Sequence, residues 1–107
     1  MRGYRLSPQA ELTLEDIISW TIEHFGVGQA ERYKDQLISR LAALAASELP
    51  HGLSCNGLLA GQRDVVDLEY YREGRHYIIY RSTIDAIFVL DFVHGSRDLA
   101  AILDELS

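Results

Sequence analysis

The residues of this chain that could do chemistry are arginines and a histidine near the ends of predicted strands. Arg63 opens one such strand and Arg81 closes the next, while His94 and Arg97 follow the last. A histidine can transfer protons near neutral pH, and arginines can neutralise charge on a phosphate. Two of these residues, Arg81 and His94, also have an ordinary structural explanation. Arg81 could cover apolar surface with its stem, and His94 could cap a strand end by hydrogen bonding.

The other histidines and the cysteine do not suggest a metal site or a disulfide. His24, His51 and His76 are scattered along the chain and lack the spacing of zinc ligands. Cys55 is the only cysteine, which excludes an intrachain disulfide and fits a reducing compartment. We therefore expect no metal.

Length and composition predict one globular domain, residues 1–107. Apolar residues make up 48% of the chain and charged residues 24%, a balance typical of folded proteins. The amino terminus lacks the apolar region of a signal peptide, and the apolar run Ala86 to Leu90 is far too short to span a membrane. These features predict a cytoplasmic protein that does not enter a membrane.

The net charge of −6 argues against direct binding to nucleic acid. Residues 1–62 carry five basic and seven acidic side chains, and residues 63–107 carry five and nine. Nucleic-acid binders obtain much of their affinity by neutralising phosphates, and an acidic surface repels a polyanion. The charge favours a basic partner segment instead.

The first half of the chain predicts a short strand followed by two antiparallel helices. Tyr4 to Leu6 form the strand, and Ser7-Pro8 provides a cap acceptor and a first helical residue. Gly26 ends the first helix, and the link Gly26 to Gly28 is short enough to require a helical hairpin. Apolar residues recur on one face of each helix. They are Ala10, Leu14, Ile17, Ile18, Thr21 and Phe25, then Ala30, Tyr33, Leu37, Leu41 and Leu44.

The second half predicts a long loop, three antiparallel strands and a terminal helix. The loop covers residues 48–61, and Val66 to Tyr71 then alternate as a half-buried strand does. A two-residue turn at Glu73-Gly74 would pair Tyr70 with Tyr77, Leu68 with Ile79 and Val66 with Arg81. The apolar run Ala86 to Val93 predicts a central strand. The expected core face is Val66, Leu68, Tyr70, Tyr77 and Ile79, and the expected last helix buries Leu99, Ile102, Leu103 and Leu106.

The order of elements, together with the residues at the strand ends, resembles the RelE/ParE superfamily of bacterial toxins, in its ParE branch. The matching features are Arg63 opening the second strand, Tyr80-Arg81 closing the third, and the block Val93 to Asp98 after the fourth. The resemblance implies an α+β fold of order β-α-α-β-β-β. In that fold an N-terminal strand and a helical hairpin pack on an antiparallel sheet, with a short C-terminal helix.

The same resemblance implies a toxin of a type II toxin–antitoxin pair that acts by binding DNA gyrase and uses no cofactor. Neutralisation by a cognate, ParD-like antitoxin in a hetero-oligomer follows from it. One alternative is a RelE-like ribosome-dependent RNase that uses Arg63, Arg81 and His94. The chain lacks a lysine in the predicted sheet and a tyrosine after Tyr80, which departs from that branch. A further alternative is an inactive small binding module.

Two sets of contact residues are predicted. The target would be bound by Arg63, Tyr80, Arg81, His94 and Arg97. A large aromatic off the main stripe of a helix is typical of a second packing surface or a partner site. The antitoxin is expected to bind across the helical hairpin and a sheet edge, and its predicted contacts are Trp20, Ile22, Leu37, Leu41 and Leu103.

Overall fold

The structure, a computed structural model of the chain, describes residues 3–47, 52–54 and 68–96. Two helices lie on one face of a five-stranded sheet in the part described. This arrangement confirms the α+β class and the predicted helical hairpin. The elements are β1 (Gly3–Leu6), α1 (Pro8–Phe25), α2 (Val27–Ala45), β2 (Leu53–Ser54), β3 (Leu68–Glu73), β4 (His76–Ser82) and β5 (Ala86–His94).

The start of α1 is fixed by Ser7, as the sequence predicts. Its hydroxyl oxygen accepts the backbone N–H of Ala10 at 2.9 Å, and Pro8 occupies the first turn. Ser7 also ties this helix end to the sheet. Its N–H donates to the carbonyl of Val89 at 2.9 Å, and its hydroxyl donates to the carbonyl of Leu90 at 2.7 Å. Ser7 therefore sets where α1 begins and attaches that end of the helix to β5.

The two helices are joined by a single residue, Gly26, which adopts a φ of 90°. Such a φ suits glycine because it lacks a Cβ. The hairpin places the predicted apolar stripes against the sheet. The fully buried leucines Leu37 and Leu41 pack in one core cluster with strand residues such as Val89. Phe25, at the end of the α1 stripe, is 53% exposed and lies outside that core.

The sheet is mixed: β3, β4 and β5 are the three antiparallel strands that the sequence predicts, and β1 extends them in parallel. Its strand order is β1-β5-β4-β3-β2, and β1 runs parallel to β5 while the other neighbours are antiparallel. Ser7 follows β1 directly, and its hydrogen bond to the carbonyl of Val89 holds the C-terminal end of β1 beside the middle of β5, in the parallel register. Sequence alternation gives no information about the direction of a four-residue strand. One correction is β2, because Leu53 and Ser54 pair with β3 inside the predicted loop 48–61.

The β3–β4 hairpin is shifted from its predicted register. The turn is Gly74-Arg75 rather than Glu73-Gly74, so Tyr70 pairs with Ile79 and Leu68 with Arg81. Moving the turn by one residue moves each pairing by two, and Gly74 provides the φ of 59° that the turn needs.

The face turned to the helices was also predicted wrongly. Ile78 and Tyr80 belong to the core cluster beneath the helices, and the ring of Tyr71 packs against it. Ile79 and Leu68 point the other way, yet they are buried as well. The alternation of β3 indicated the wrong face, because the face with its glutamates packs beneath the helices, where Arg40 and Gln36 bind Glu73. Val66, Leu99 and the rest of the predicted C-terminal helix lie outside the described residues.

Candidate functional site

An open cavity of about 640 Å³ lies between the helical hairpin and one end of the sheet. α1, α2, the β3–β4 turn and the end of β5 all contribute to its walls. This volume falls inside the range of about 300–1,000 Å³ that is typical of ligand pockets. The lining combines rings and apolar side chains with polar groups such as Thr13, Gln29 and Arg75. Its aromatic, aliphatic and imidazole side chains are Ile17, Trp20, Phe25, Tyr33, His76 and His94.

A hydrogen-bonded group from α2 and the β3–β4 turn holds one wall in place. The hydroxyl of Tyr33 lies 2.6 Å from Nδ1 of His76, and its oxygen accepts the backbone N–H of Arg75 at 3.0 Å. The carbonyl of Glu73 lies farther from that hydroxyl, at 3.3 Å. The hydroxyl can donate to this carbonyl, and the tautomer of His76 decides which of Nδ1 and the Tyr33 hydroxyl donates in the shorter contact.

Burial controls the charge of this wall. Burial, together with the smaller effects of the nearby His94 and Arg75, lowers the pKa of His76 from 6.5 to about 4. Burial also raises the pKa of the Tyr33 hydroxyl above its ordinary value. Near neutral pH, His76 and Tyr33 are therefore both uncharged.

The β3–β4 turn is fastened to α2 by Glu73. Arg40 donates from Nε to one carboxylate oxygen at 2.7 Å, and Gln36 donates to the other at 2.7 Å. The guanidinium of Arg40 also lies 4.6 Å from the centre of the Tyr71 ring. Charged donors make strong hydrogen bonds, so this clamp fixes the turn that carries His76.

The mouth of the cavity presents exposed aromatic rings. Trp20 is 47% exposed, stacks on His24 with ring centres 4.0 Å apart, and meets the edge of Phe25 at 5.8 Å. The guanidinium of Arg75 lies 5.3 Å from the centre of the Phe25 ring. Large apolar side chains left at the surface around a cavity are typical of a binding site.

The structure does not bring the predicted target contacts together. Arg81 is exposed on the sheet face away from the helices, whereas His94 is exposed on the helical side, with its ring 5.3 Å from that of His76. His94 pairs with His76, five positions from Arg81 along β4, or about 17 Å at the usual strand rise. Tyr80 is 3% exposed and belongs to the core, which corrects its prediction as a surface contact. Arg63 and Arg97 lie outside the described residues.

The predicted antitoxin contacts are also divided. Trp20 and Ile22 are exposed, as an interaction surface requires. Leu37 and Leu41 have no exposed surface, because they fill the core between the helices and the sheet. This placement corrects the expectation that they meet a partner. Leu103 lies outside the described residues.

Sequence reasoning missed the wall formed by Tyr33, Arg75 and His76. The apolar spacing places Tyr33 on the core stripe of α2, and the spacing of the histidines indicates no metal-binding role for His76. The two side chains are 43 residues apart in sequence. The one local signal was Gly74, whose turn brings His76 beneath Tyr33.

The described part of the chain contains no cluster of three or more histidine, cysteine, aspartate or glutamate side chains suited to a metal ion. Among the same residues, neither helix is long and apolar enough to cross a membrane.

Comparison with known proteins gives consistent matches over most of the chain. Residues 4–99 match the family model described as the ParE toxin of the type II toxin–antitoxin system parDE. The chain is 34% identical over 91 residues to Toxin ParE1 of Mycobacterium tuberculosis strain CDC 1551 / Oshkosh, covering 81% of this chain and 86% of the relative. The protein of that name in strain ATCC 25618 / H37Rv matches equally.

A solved structure shows the same fold. A chain of the chromosomal ParDE TA system from P. aeruginosa superimposes with a TM-score of 0.63 and covers 88% of this chain and 96% of its own length. Only 12% of the residues are identical, so this likeness concerns the fold alone.

Proposed function

Because this chain belongs to the ParE toxin family of type II toxin–antitoxin systems, we propose that it arrests growth by binding and inhibiting DNA gyrase. The observation that carries the proposal is the family match over residues 4–99. The toxin would act in the cytoplasm, where gyrase and DNA are found, and would need no cofactor. Its cognate antitoxin would neutralise it in a hetero-oligomer.

The positions of Arg81 and His94 support binding rather than RNA cleavage. Cleavage of a phosphodiester needs a base, an acid and a cation around one phosphate. Arg81 and His94 lie on opposite faces of the sheet and about 17 Å apart along it, so they cannot both reach that phosphate. A binding mechanism asks only for an exposed surface, which Arg81 offers.

Neutralisation by an antitoxin is supported by the exposed face of the helical hairpin. Trp20 and Ile22 are exposed on α1. The net charge of −6 favours a partner segment rich in lysine and arginine, and electrostatic attraction would chiefly speed the association.

A supercoiling assay tests the proposal. Purified toxin is titrated into gyrase, relaxed plasmid and ATP, with and without the antitoxin encoded beside this chain. We expect loss of supercoiling or trapped cleavage complexes, reversed by the antitoxin. Full gyrase activity at a toxin excess, with messages cut in a translation reaction, would favour the RNase alternative. Full activity without message cleavage or growth arrest would favour an inactive module.

A further inference from the structure

His76 and His94 lie side by side on the neighbouring strands β4 and β5, at the end of the sheet that borders the cavity. The backbone N–H of Gly95 donates to the carbonyl of Arg75 at 2.8 Å, so the ladder hydrogen bond belongs to the flanking pair. His76 and His94 are therefore a non-hydrogen-bonded pair, in which the Cα atoms are typically only about 4.5 Å apart. The backbone thus holds the two imidazoles next to each other on one face of the sheet.

The spacing of the two rings suits a shared metal ion. Their centres are 5.3 Å apart and their planes are nearly perpendicular, at 85°. An ion bound at about 2.0–2.1 Å from an imidazole nitrogen lies about 3.2 Å from the ring centre, so two rings that share it at a tetrahedral angle have centres about 5.2 Å apart. His94 is exposed, so its ring can rotate to bring one nitrogen of each ring onto the same ion.

The nitrogen available on each ring is Nε2. Nδ1 of His76 lies 2.6 Å from the Tyr33 hydroxyl, and Nδ1 of His94 lies 2.7 Å from Oγ of Ser96. Within the described part of the chain, no hydrogen bond engages either Nε2. Metal-binding histidines use this arrangement, in which a partner on the second nitrogen fixes the orientation of the ring.

Tyr33 and Ser96 can stabilise the tautomer that a metal ion requires. When Nε2 binds an ion, Nδ1 carries the ring proton and donates it. The Tyr33 oxygen can accept this proton from His76, while its own proton goes to the carbonyl of Glu73 at 3.3 Å. The hydroxyl of Ser96 can accept from His94 in the same way. In exchange the backbone N–H of Ser96 loses its 3.1 Å contact with Nδ1, at an exposed position where water replaces it.

We propose that His76 and His94 form a binding site for a divalent transition-metal ion, with Nε2 of each ring as a ligand and water in the remaining positions. Imidazole suits Zn²⁺, Ni²⁺ and Cu²⁺, whereas Mg²⁺ and Ca²⁺ prefer oxygen ligands. The near-tetrahedral spacing of the rings favours Zn²⁺. Both rings line an open cavity, so the ion and its water ligands can enter. The site is independent of the proposed inhibition of gyrase.

The charges around the two rings are compatible with a cation. Burial lowers the pKa of His76 to about 4, so near pH 7 no proton competes for its lone pair. Asp16 brings a carboxylate to the same cavity and Arg75 brings a guanidinium, while Glu73 is already paired with Arg40. The local charges therefore balance, and the net charge of −6 attracts cations to the molecule as a whole.

Calorimetry with zinc chloride tests the site, on toxin purified without a histidine tag. We expect one ion to bind per chain. Because the ion binds the folded state, Tm should rise by about 5 °C or more at free Zn²⁺ well above the dissociation constant. His76→Gln and His94→Gln should each weaken binding by more than about tenfold, since even loss of an outer partner of a ligand costs that much.

His24→Gln is the matched control. His24 is an exposed histidine of α1 that does not line the cavity, and its loss should leave the affinity for Zn²⁺ unchanged. Long-range ¹H–¹⁵N spectra of the imidazoles give a second readout. On addition of Zn²⁺ the Nε2 resonances of His76 and His94 should shift and their Nδ1 atoms should carry the proton, while His24 keeps its spectrum. Circular dichroism checks that each variant is folded.

The outcomes decide the proposal. Loss of binding in His76→Gln and His94→Gln, with His24→Gln unaffected, establishes the pair as the site. If His76→Gln does not fold, His94→Gln decides alone, because its side chain is exposed and its loss leaves the core intact. Undiminished affinity in His94→Gln, equal loss in the control, or no binding of Zn²⁺ by the unmodified toxin would overturn the proposal. The supercoiling assay decides the proposed function separately.

Discussion

The hydroxyl of Tyr33 lies 2.6 Å from Nδ1 of His76, and this contact joins α2 to the start of β4. The same oxygen accepts the backbone N–H of Arg75, so one side chain of α2 holds both the turn and the imidazole. The contact forms part of the inner wall of the cavity, where burial, His94 and Arg75 together lower the pKa of His76 and keep it neutral. The same hydrogen bonds therefore join the helical hairpin to the sheet and hold one wall of the candidate site.

Removal of the Tyr33 hydroxyl should destabilise the protein. Tyr33→Phe leaves the backbone N–H of Arg75 and Nδ1 of His76 without their partner, which costs about 1–3 kcal/mol in the free energy of unfolding. Urea unfolding followed by circular dichroism measures the change. Tyr4→Phe is the control, since that ring also packs on the core while its hydroxyl has no hydrogen bond to the described residues. Equal losses in both variants would contradict this account.

Stability should fall as the pH decreases from about 6.5 towards 4, because of His76. The folded protein keeps this imidazole neutral down to a pKa of about 4, whereas the unfolded chain binds a proton near 6.5. The unfolded state thus binds more protons in this window, so the free energy of unfolding decreases as the pH falls. Below about pH 4 both states are protonated, and this contribution to the slope ends.

His76→Gln tests the pH dependence, because glutamine keeps a polar group near Tyr33 but does not titrate. Urea unfolding at a series of pH values should give a shallower decrease for this variant than for the unmodified protein between pH 6.5 and 4. Identical slopes would show that other groups control acid stability.

The Arg40–Glu73 ion pair should make a measurable net contribution to the free energy of unfolding. The two side chains are only 23% and 15% exposed, and the charges meet at 2.7 Å. We expect Arg40→Met to cost about 1–2 kcal/mol, more than an exposed pair would. A double-mutant cycle with Glu73→Gln should give a coupling energy of about 1 kcal/mol. Strict additivity of the two substitutions would show that the pair contributes nothing of its own.

Gly74 should not tolerate a side chain. Its φ is 59°, and an added Cβ would lie 2.6 Å from Cε1 of Tyr33. Gly74→Ala should therefore lower the free energy of unfolding by about 1–3 kcal/mol through strain and displacement of the Tyr33 ring. Gly28→Ala, in α2 with its nearest atom at 3.8 Å, should cause no loss. Thermal melts of the two variants make the comparison.

Inhibition of gyrase should depend on Arg81 and not on His94. The two residues lie on opposite faces of the sheet, so one flat contact surface includes only one of them. We expect Arg81→Ala to raise the toxin concentration for half-inhibition about tenfold, by loss of an arginine contact. His94→Ala should have little effect, because His94 lines the cavity instead. Equal loss in both variants would place the gyrase contact at the edge of the sheet rather than on a face.

Local features of the sequence were enough to predict the helices. Ser7 and Pro8 mark the start of α1, and Gly26 marks its end, because caps and left-handed glycines act within a few residues. The apolar spacing identified the buried face of each helix, and the off-stripe position of Trp20 identified an exposed aromatic. The order of elements, together with the strand-end residues, was sufficient to indicate the family.

The sheet and the cavity depended on contacts between distant segments. Tertiary structure decided that β1 runs parallel to β5, that Gly74-Arg75 forms the turn, and that Tyr80 faces the core. Alternation indicated the wrong face of β3, because Arg40 and Gln36 of α2 accommodate Glu73 beneath the helices. A turn displaced by one residue also moves every pairing by two.

The sequence by itself thus determined the two helices, the three antiparallel strands β3 to β5 and the family to which the chain belongs. Only the tertiary structure brought Tyr33 to His76 and left a cavity beside Trp20. The physical reason is the distance along the chain over which each interaction acts. Capping and periodicity act over one or two turns of the chain, whereas a cavity wall forms where the packing of whole elements brings distant side chains together.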